Sequence, residues 1–324
     1  MEPAERGVPS SGIIEYPKCL HHRYAHDSVL QDISVYLPRA LPQEGPLSGY
    51  WIIYIHGGAW RDPLISASSF ARTGDILISK FCSDESSDIL GFASINYRLS
   101  AHPNFQQDLE STDPTAVRNA VHPNHLNDVR QAIAFLQSTY SFDEQYILAG
   151  HSCGATLAFQ AVMGTVAGVG DGDYDASVSV SEIVQPLAIV GVEGIYDLRR
   201  LRDSFSQYGI YQEFIEGAFG KDEDVWDGAS PSKVEGAAGV EEGWKNGRLA
   251  ILAQSKGDEL VDASQLKDMS RALEKWKSRD GQGQRDVLLI EDLEGGHDEV
   301  WEKGEELAAV ISKAVERLKG LAQS

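Results

Sequence analysis

A chain of 324 residues, 42% hydrophobic and 24% charged, is long enough to bury a large core and has the composition of an ordinary globular protein. Its 28 basic and 49 acidic residues leave a net charge of −21, a field that repels nucleic acid and anionic membrane surfaces. Three scattered cysteines, Cys19, Cys82 and Cys153, exclude a disulfide framework and fit a reducing compartment. No run approaches the roughly 18 apolar residues of a membrane span. The opening MEPAERGVPSSG lacks the basic end and apolar stretch of a secretory signal, so a cytoplasmic protein is expected.

Residues 1–12 read as a disordered tail. DISVYLP (32–38) alternates like a strand, and YWIIYIH (50–56) is the continuous apolar run of a strand covered on both faces. A helix is predicted over 66–82 and a second buried strand over ILGFASINYRL (89–99). Leu126, Val129, Ile133 and Leu136 recur at helical spacing within 125–140. Strand QYILAG (145–150), helix GATLAFQAVM (154–163) and strand EIVQPLAIVGV (182–192) follow. Strand 248–254, helix 262–277, strand 286–292 and helix 299–319 complete the chain. Strands alternating with helices predict an α/β fold with a mostly parallel sheet and helices on both faces. Two acidic stretches, 164–181 and 222–243, read as solvated loops. Residues 198–247 read as a cap inserted into a single domain spanning 1–324.

The sharpest motif is Gly150-His151-Ser152-Cys153-Gly154, a G-x-S-x-G between a buried strand and an apolar helix. That context suits an elbow that projects a serine hydroxyl above a sheet. Such a hydroxyl needs a base, and in this arrangement the chain order is serine, acid, histidine. Of nine histidines, eight precede Ser152 and only His297, in EGGHDEVW, follows it. SKGDELVD offers Asp258, Glu259 and Asp262 as the acid. Asp258 sits where a loop carboxylate reaches an imidazole, whereas Asp262 suits a helix cap. After the run YWIIYI, His56-Gly57-Gly58-Ala59-Trp60 fits an oxyanion loop. The predicted donors are the amides of Gly58 and Ala59, with Gly57 and that of Cys153. His56 is expected to brace the loop.

HGGAW, GHSCGA, SKGDELVD and GGHDEVW together resemble the kynurenine formamidases (arylformamidases) of fungal type, within the α/β-hydrolase superfamily. The resemblance runs from about residue 48 to 320 and includes INYRL and YQEFIEGAFG. It implies hydrolysis of N-formyl-L-kynurenine to kynurenine and formate, in tryptophan catabolism and NAD biosynthesis. It also implies a triad of Ser152, Asp258 and His297, with no cofactor or metal, and admits a homodimer. Trp60 and the aromatics Phe205, Tyr208, Tyr211 and Phe214, spaced as on one side of a helix, are candidates to contact the substrate ring. Arg61 and Arg98 are candidates for its carboxylate. The alternatives are a carboxylesterase of the hormone-sensitive-lipase-like group and a non-catalytic binding protein on a hydrolase scaffold.

Other matches carry less. DGDYDASVSVSE (171–182) approaches a calcium loop, but Ala176 stands where glycine is required. HHRYAH (21–26) lacks the cysteine partners of a zinc site. His122 and His125, at a predicted helix start, suggest capping or surface roles.

Overall fold

The computed structural model describes residues 16–41, 49–81, 88–164, 182–281 and 283–322. One sheet of eight strands organises them: β1 (Lys18–Arg23), β2 (Asp32–Leu37), β3 (Tyr50–Ile55), β4 (Ile89–Ile95), β5 (Tyr146–His151), β6 (Ala188–Val192), β7 (Leu249–Ser255) and β8 (Asp286–Leu293). Their order across the sheet is β1-β2-β4-β3-β5-β6-β7-β8. β2 pairs antiparallel with β1 and β4, and the remaining pairings are parallel.

Side chains of β3 explain its unbroken apolar run. Trp51, Ile53 and Ile55 enter one core, while Ile52 and Tyr54 enter the other. Successive residues of a strand face opposite ways, so a sheet covered on both sides needs both parities apolar. The first core is closed by α2 (Asn124–Tyr140), α3 (Cys153–Gln160) and α8 (Ala263–Ser278). The second is closed by α1 (Ala71–Phe81), α9 (Glu299–Lys303) and α10 (Glu305–Ala322). Between β6 and β7 lie α4 (Leu198–Ser204), α5 (Gly209–Phe219), α6 (Glu223–Ala229) and α7 (Val240–Gly243).

The chain leaves β3 for β4 on one side and returns to β5 on the other. Parallel sheets open a crevice at such a switch point, outside the carboxyl ends of the strands. Residues 56–60 follow β3, and Ser152 follows β5. The topology therefore brings both motifs to one crevice.

Several elements differ from the sequence reading. β1 was not expected: KCLHHR alternates half-buried and exposed side chains on the sheet edge and carries almost no apolar signal. The predicted strand 182–192 shortens to β6 because Pro186, which has no amide hydrogen, precedes it. The last predicted helix breaks at Gly304, whose φ is 80°. The stretch 222–243, read as a loop, is mostly helical, and Asp222 caps α6 through the Asp224 amide. His125 is not at the surface: it is fully buried, with Nε2 3.0 Å from Ser100 Oγ. His122 is likewise buried and stacks on Phe219. The tail 1–12, Cys82 and residues 165–181, with most of the calcium-like run, lie outside the described residues.

Candidate active site

Ser152 stands between β5 and α3 with φ 54° and ψ −125°. A positive φ in a residue with a Cβ is strained. Tight packing around the turn holds it there. A Cβ on Gly150 would lie 2.3 Å from the Gly154 carbonyl oxygen, and one on Gly154 would lie 2.2 Å from that of Ile55. Both flanking glycines are thus required by the close seating of α3 on β3 and β5.

The loop after β3 lies flat against this turn. A Cβ on Gly57 would come 2.9 Å from His151 Nδ1 and 3.2 Å from Ser152 Cβ. Gly58, Ala59 and Trp60 all have positive φ, at 97°, 49° and 60°. The Gly58 carbonyl oxygen accepts the amides of Arg61 and Asp62, each at 2.9 Å. Beneath the loop, Tyr97 Oη lies 3.1 Å from the His56 carbonyl oxygen and 3.2 Å from that of Gly57. His56 Nδ1–H donates to the Gly57 carbonyl at 2.8 Å, and its ring stacks on Tyr97. Burial pushes the His56 pKa down to about 4, so the ring is neutral at pH 7.

The four expected oxyanion amides are not equivalent. Trp60 N–H donates to Cys153 Sγ at 3.3 Å, and the amides of Ala59 and of Cys153 itself also face that sulfur. The amides of Gly57 and Gly58 donate to no group among the described residues. Cys153 opens α3, where helix amides lack intrahelical partners. Burial raises the Cys153 thiol to about 11, so it stays protonated and does not compete with the serine as a nucleophile.

On the other side of the crevice, His297 Nδ1 lies 3.0 Å from Asp258 Oδ1. The same oxygen accepts the amides of Leu260 and Val261 at 2.9 Å, and Asp258 Oδ2 accepts Gln254 Nε2 at 2.6 Å. Four donors fix this carboxylate in one orientation. Asp262 instead caps α8 through the Ser264 amide, and Glu259 accepts the His297 amide at 3.2 Å. The His297 ring packs on that of His151, centroids 4.6 Å apart, next to Ser152. Among the described residues neither the Ser152 hydroxyl nor His297 Nε2 makes a hydrogen bond; such contacts often tighten only with substrate.

The sequence reading missed Glu193, which directly follows β6. Its Oε2 lies 3.1 Å from His151 Nε2 and 3.7 Å from His297 Nδ1. Burial, then the Asp258 charge, raises its pKa to about 9. The available signal was position, an acid at the carboxyl end of the strand beside the nucleophile strand. His151, Glu193 and His297 offer metal-ligand atoms within 4.8 Å of one another. Those atoms already bond one another, Asp258 or the His297 carbonyl oxygen.

Comparison with known proteins gives this geometry a context. The BD-FAE family model matches residues 33–273. A kynurenine formamidase-like hydrolase of Fusarium equiseti is 38% identical over 294 residues, 91% of this chain and 92% of the relative. A kynurenine formamidase of Aspergillus versicolor is 39% identical over 272 residues, 79% of this chain and 85% of that one. The chain belongs to the kynurenine formamidase family. Solved esterases share its α/β-hydrolase fold. Esterase B of Lactobacillus rhamnosis superposes with a TM-score of 0.60 at 15% identity, over 96% of this chain and 88% of its own. Esterase 2 of Thermogutta terrifontis does so with a TM-score of 0.59 at 14% identity, over 95% and 98%.

In this member of the family the expected substrate-contacting residues are dispersed. Phe205, Tyr208, Tyr211 and Phe214 do not share one helix: Phe205 ends α4 and Tyr208 precedes α5. Phe205 stacks on Tyr211 at 4.5 Å, and Tyr211 Oη donates to the Leu260 carbonyl oxygen in the Asp258 loop. Phe214 and Phe219 pack on Trp60, which is fully buried. Helix α5 therefore bridges the acid loop and the glycine loop. Tyr208 is 57% exposed. Arg98 is committed to Asp128, with Nη2 2.7 Å from Oδ1, and braces the fold. Arg61 pairs with Glu213 of α5 at 2.8 Å beside a cleft of about 650 Å³ lined also by His102, Phe105 and Arg118.

Proposed function

We propose that the chain is an arylformamidase that cleaves the formamide of N-formyl-L-kynurenine to L-kynurenine and formate. The observation that carries this reading is the Asp258–His297 pair at 3.0 Å beside the strained Ser152 turn, in a chain 38% identical to a formamidase-like hydrolase over nearly its whole length. Ser152 Oγ attacks the formyl carbon while His297 Nε2 takes its proton. The amides of Gly58 and Ala59, with those of Gly57 and Cys153, are the candidates to receive the charge that forms on the formyl oxygen. Collapse breaks the carbon–nitrogen bond as His297 returns its proton to the leaving aryl amine. Water, activated by the same imidazole, then releases formate from the formyl-serine.

Asp258 holds the Nδ1–H tautomer, so Nε2 is the nitrogen free to accept. Helix α5, with Tyr211 and Phe214, serves as the cap that encloses the aromatic ring of the substrate.

A carboxylesterase is the second reading, favoured by the esterase neighbours of the fold. Formamide cleavage demands protonation of an amine leaving group, whereas an ester alkoxide leaves more readily. We expect kcat/KM for N-formyl-L-kynurenine to exceed that for p-nitrophenyl acetate by at least about tenfold, and Ser152→Ala and His297→Ala each to lower kcat by about 10³-fold or more. Equal or better constants on the ester overturn the substrate assignment. Active Ser152→Ala protein overturns the mechanism.

A further inference from the structure

Behind the His297 ring stands a carboxyl for which the acyl-transfer scheme has no use. Glu193 is fully buried at the end of β6, with φ at 51° and its amide bonded to the Ala253 carbonyl oxygen at 2.8 Å. A non-glycine residue holds that conformation only when its surroundings over-determine it. The Ser255 amide faces this carboxyl, although its Oε1 makes no hydrogen bond of good geometry among the described residues. Burying a carboxyl beside a second carboxylate is unfavourable even with the Ser255 amide and His151 against it, and an apolar side chain of similar size would avoid that cost. What the side chain reaches is the base: one nitrogen, His297 Nδ1, faces Asp258 Oδ1 at 3.0 Å from the β7 side and Glu193 Oε2 at 3.7 Å from the β6 side.

We propose that Glu193 is a second carboxyl partner of the His297 Nδ1 proton, a positioning residue that confines the ring from the β6 side and accepts that proton when Asp258 is absent. The proposal rests on His297 being the general base. In the parent protein Asp258 is the nearer partner and is fixed by Gln254 and two amides. Glu193 carries its own proton at neutral pH, under burial and the charges of Asp258, Glu259 and Asp298. It faces His151 and His297 in the same cluster. Without the Asp258 carboxylate, the largest of those charges is gone and Nδ1–H faces Glu193 alone. A movement of under about 1 Å then closes a charge-assisted hydrogen bond.

The test measures kcat, KM and melting temperature for the parent, Asp258→Ala, Glu193→Met and the double variant. It uses whichever of N-formyl-L-kynurenine and p-nitrophenyl acetate the parent turns over. Glu193→Met alone is expected to lower kcat by about 3- to 10-fold with KM unchanged. Asp258→Ala is expected to lose about 100-fold, against the about 10⁴-fold loss seen when a triad acid is neutralised with no substitute. The double variant should fall at least about 30-fold below Asp258→Ala. The kcat–pH profile of Asp258→Ala should rise with pH along a limb that the double variant lacks, which a merely structural role would not produce. If Glu193→Met does not fold, the isosteric Glu193→Gln supplies the same comparison. Folded double-variant protein within twofold of Asp258→Ala, with no change in pH profile, overturns the proposal. His297→Ala separates the two levels: full activity there removes the general-base reading itself, whereas an inactive His297→Ala leaves that reading standing whatever Glu193 does.

Discussion

The two sides of the crevice are held in place by different physics. Around Ser152 and residues 57–60 the restraint is steric: positive φ values, glycines pressed against carbonyl oxygens, and an aromatic floor of Tyr97 and His56. Around His297 the restraint is polar: Asp258 with four donors, Glu193 on His151, and Glu259 on the His297 amide. Steric restraint has no soluble alternative, so a single added methyl breaks it. Polar restraint is redundant and titrates, so it should fail gradually and with pH.

That contrast sets the order of expected effects. Gly154→Ala should be the most damaging, because its methyl would lie 2.2 Å from the Ile55 carbonyl oxygen and only a backbone shift relieves that. Overpacking of this kind costs up to about 3 kcal/mol, and activity should vanish with it. Chemical denaturation and rate measurements on the purified variant check both; a stable, active Gly154→Ala protein would mean that α3 is not seated this tightly. Tyr97→Phe comes next. It removes the hydroxyl that faces the His56 and Gly57 carbonyl oxygens and should lower kcat by about tenfold while costing about 1 kcal/mol of stability. An unchanged kcat would show that the floor does not aim the loop.

The smallest effect is that of Glu193→Gln, on the polar side, and it shows mainly in its pH dependence. Burial, and then the Asp258 charge, raise the Glu193 carboxyl in the folded protein to about 9 from its ordinary 4.5. Between those values the unfolded chain loses this proton and the folded one keeps it. Stability therefore falls as pH rises through that window. Glu193→Gln removes the titration, so its melting temperature relative to the parent should increase from pH 5 to pH 8. A pH-independent difference would mean that Glu193 is already ionised in the folded protein.

The same contrast explains what could be read from the sequence. Steric sites leave glycines at fixed spacing, so Gly150, Gly154 and the Gly57-Gly58 pair stood out beside apolar strand runs. His297 was singled out by chain order, since no other histidine follows Ser152. Glu193 left no mark, because a buried carboxyl looks like any surface acid until the strand register is known. β1 was silent for a related reason: an edge strand facing solvent needs polar side chains and so carries no hydrophobic period. The aromatic spacing at 205–214 misled because the residues between Phe205 and Tyr208 turn the chain out of α4 before α5 begins.

The most direct measurement is mass spectrometry of the protein after treatment with an organophosphate, with hydrolysis followed in parallel. One phosphoryl adduct is expected, located on Ser152, formed as activity is lost, absent from Ser152→Ala and greatly slowed in His297→Ala. Full loss of activity with the adduct on another residue, or catalysis persisting once Ser152 is modified, would contradict it.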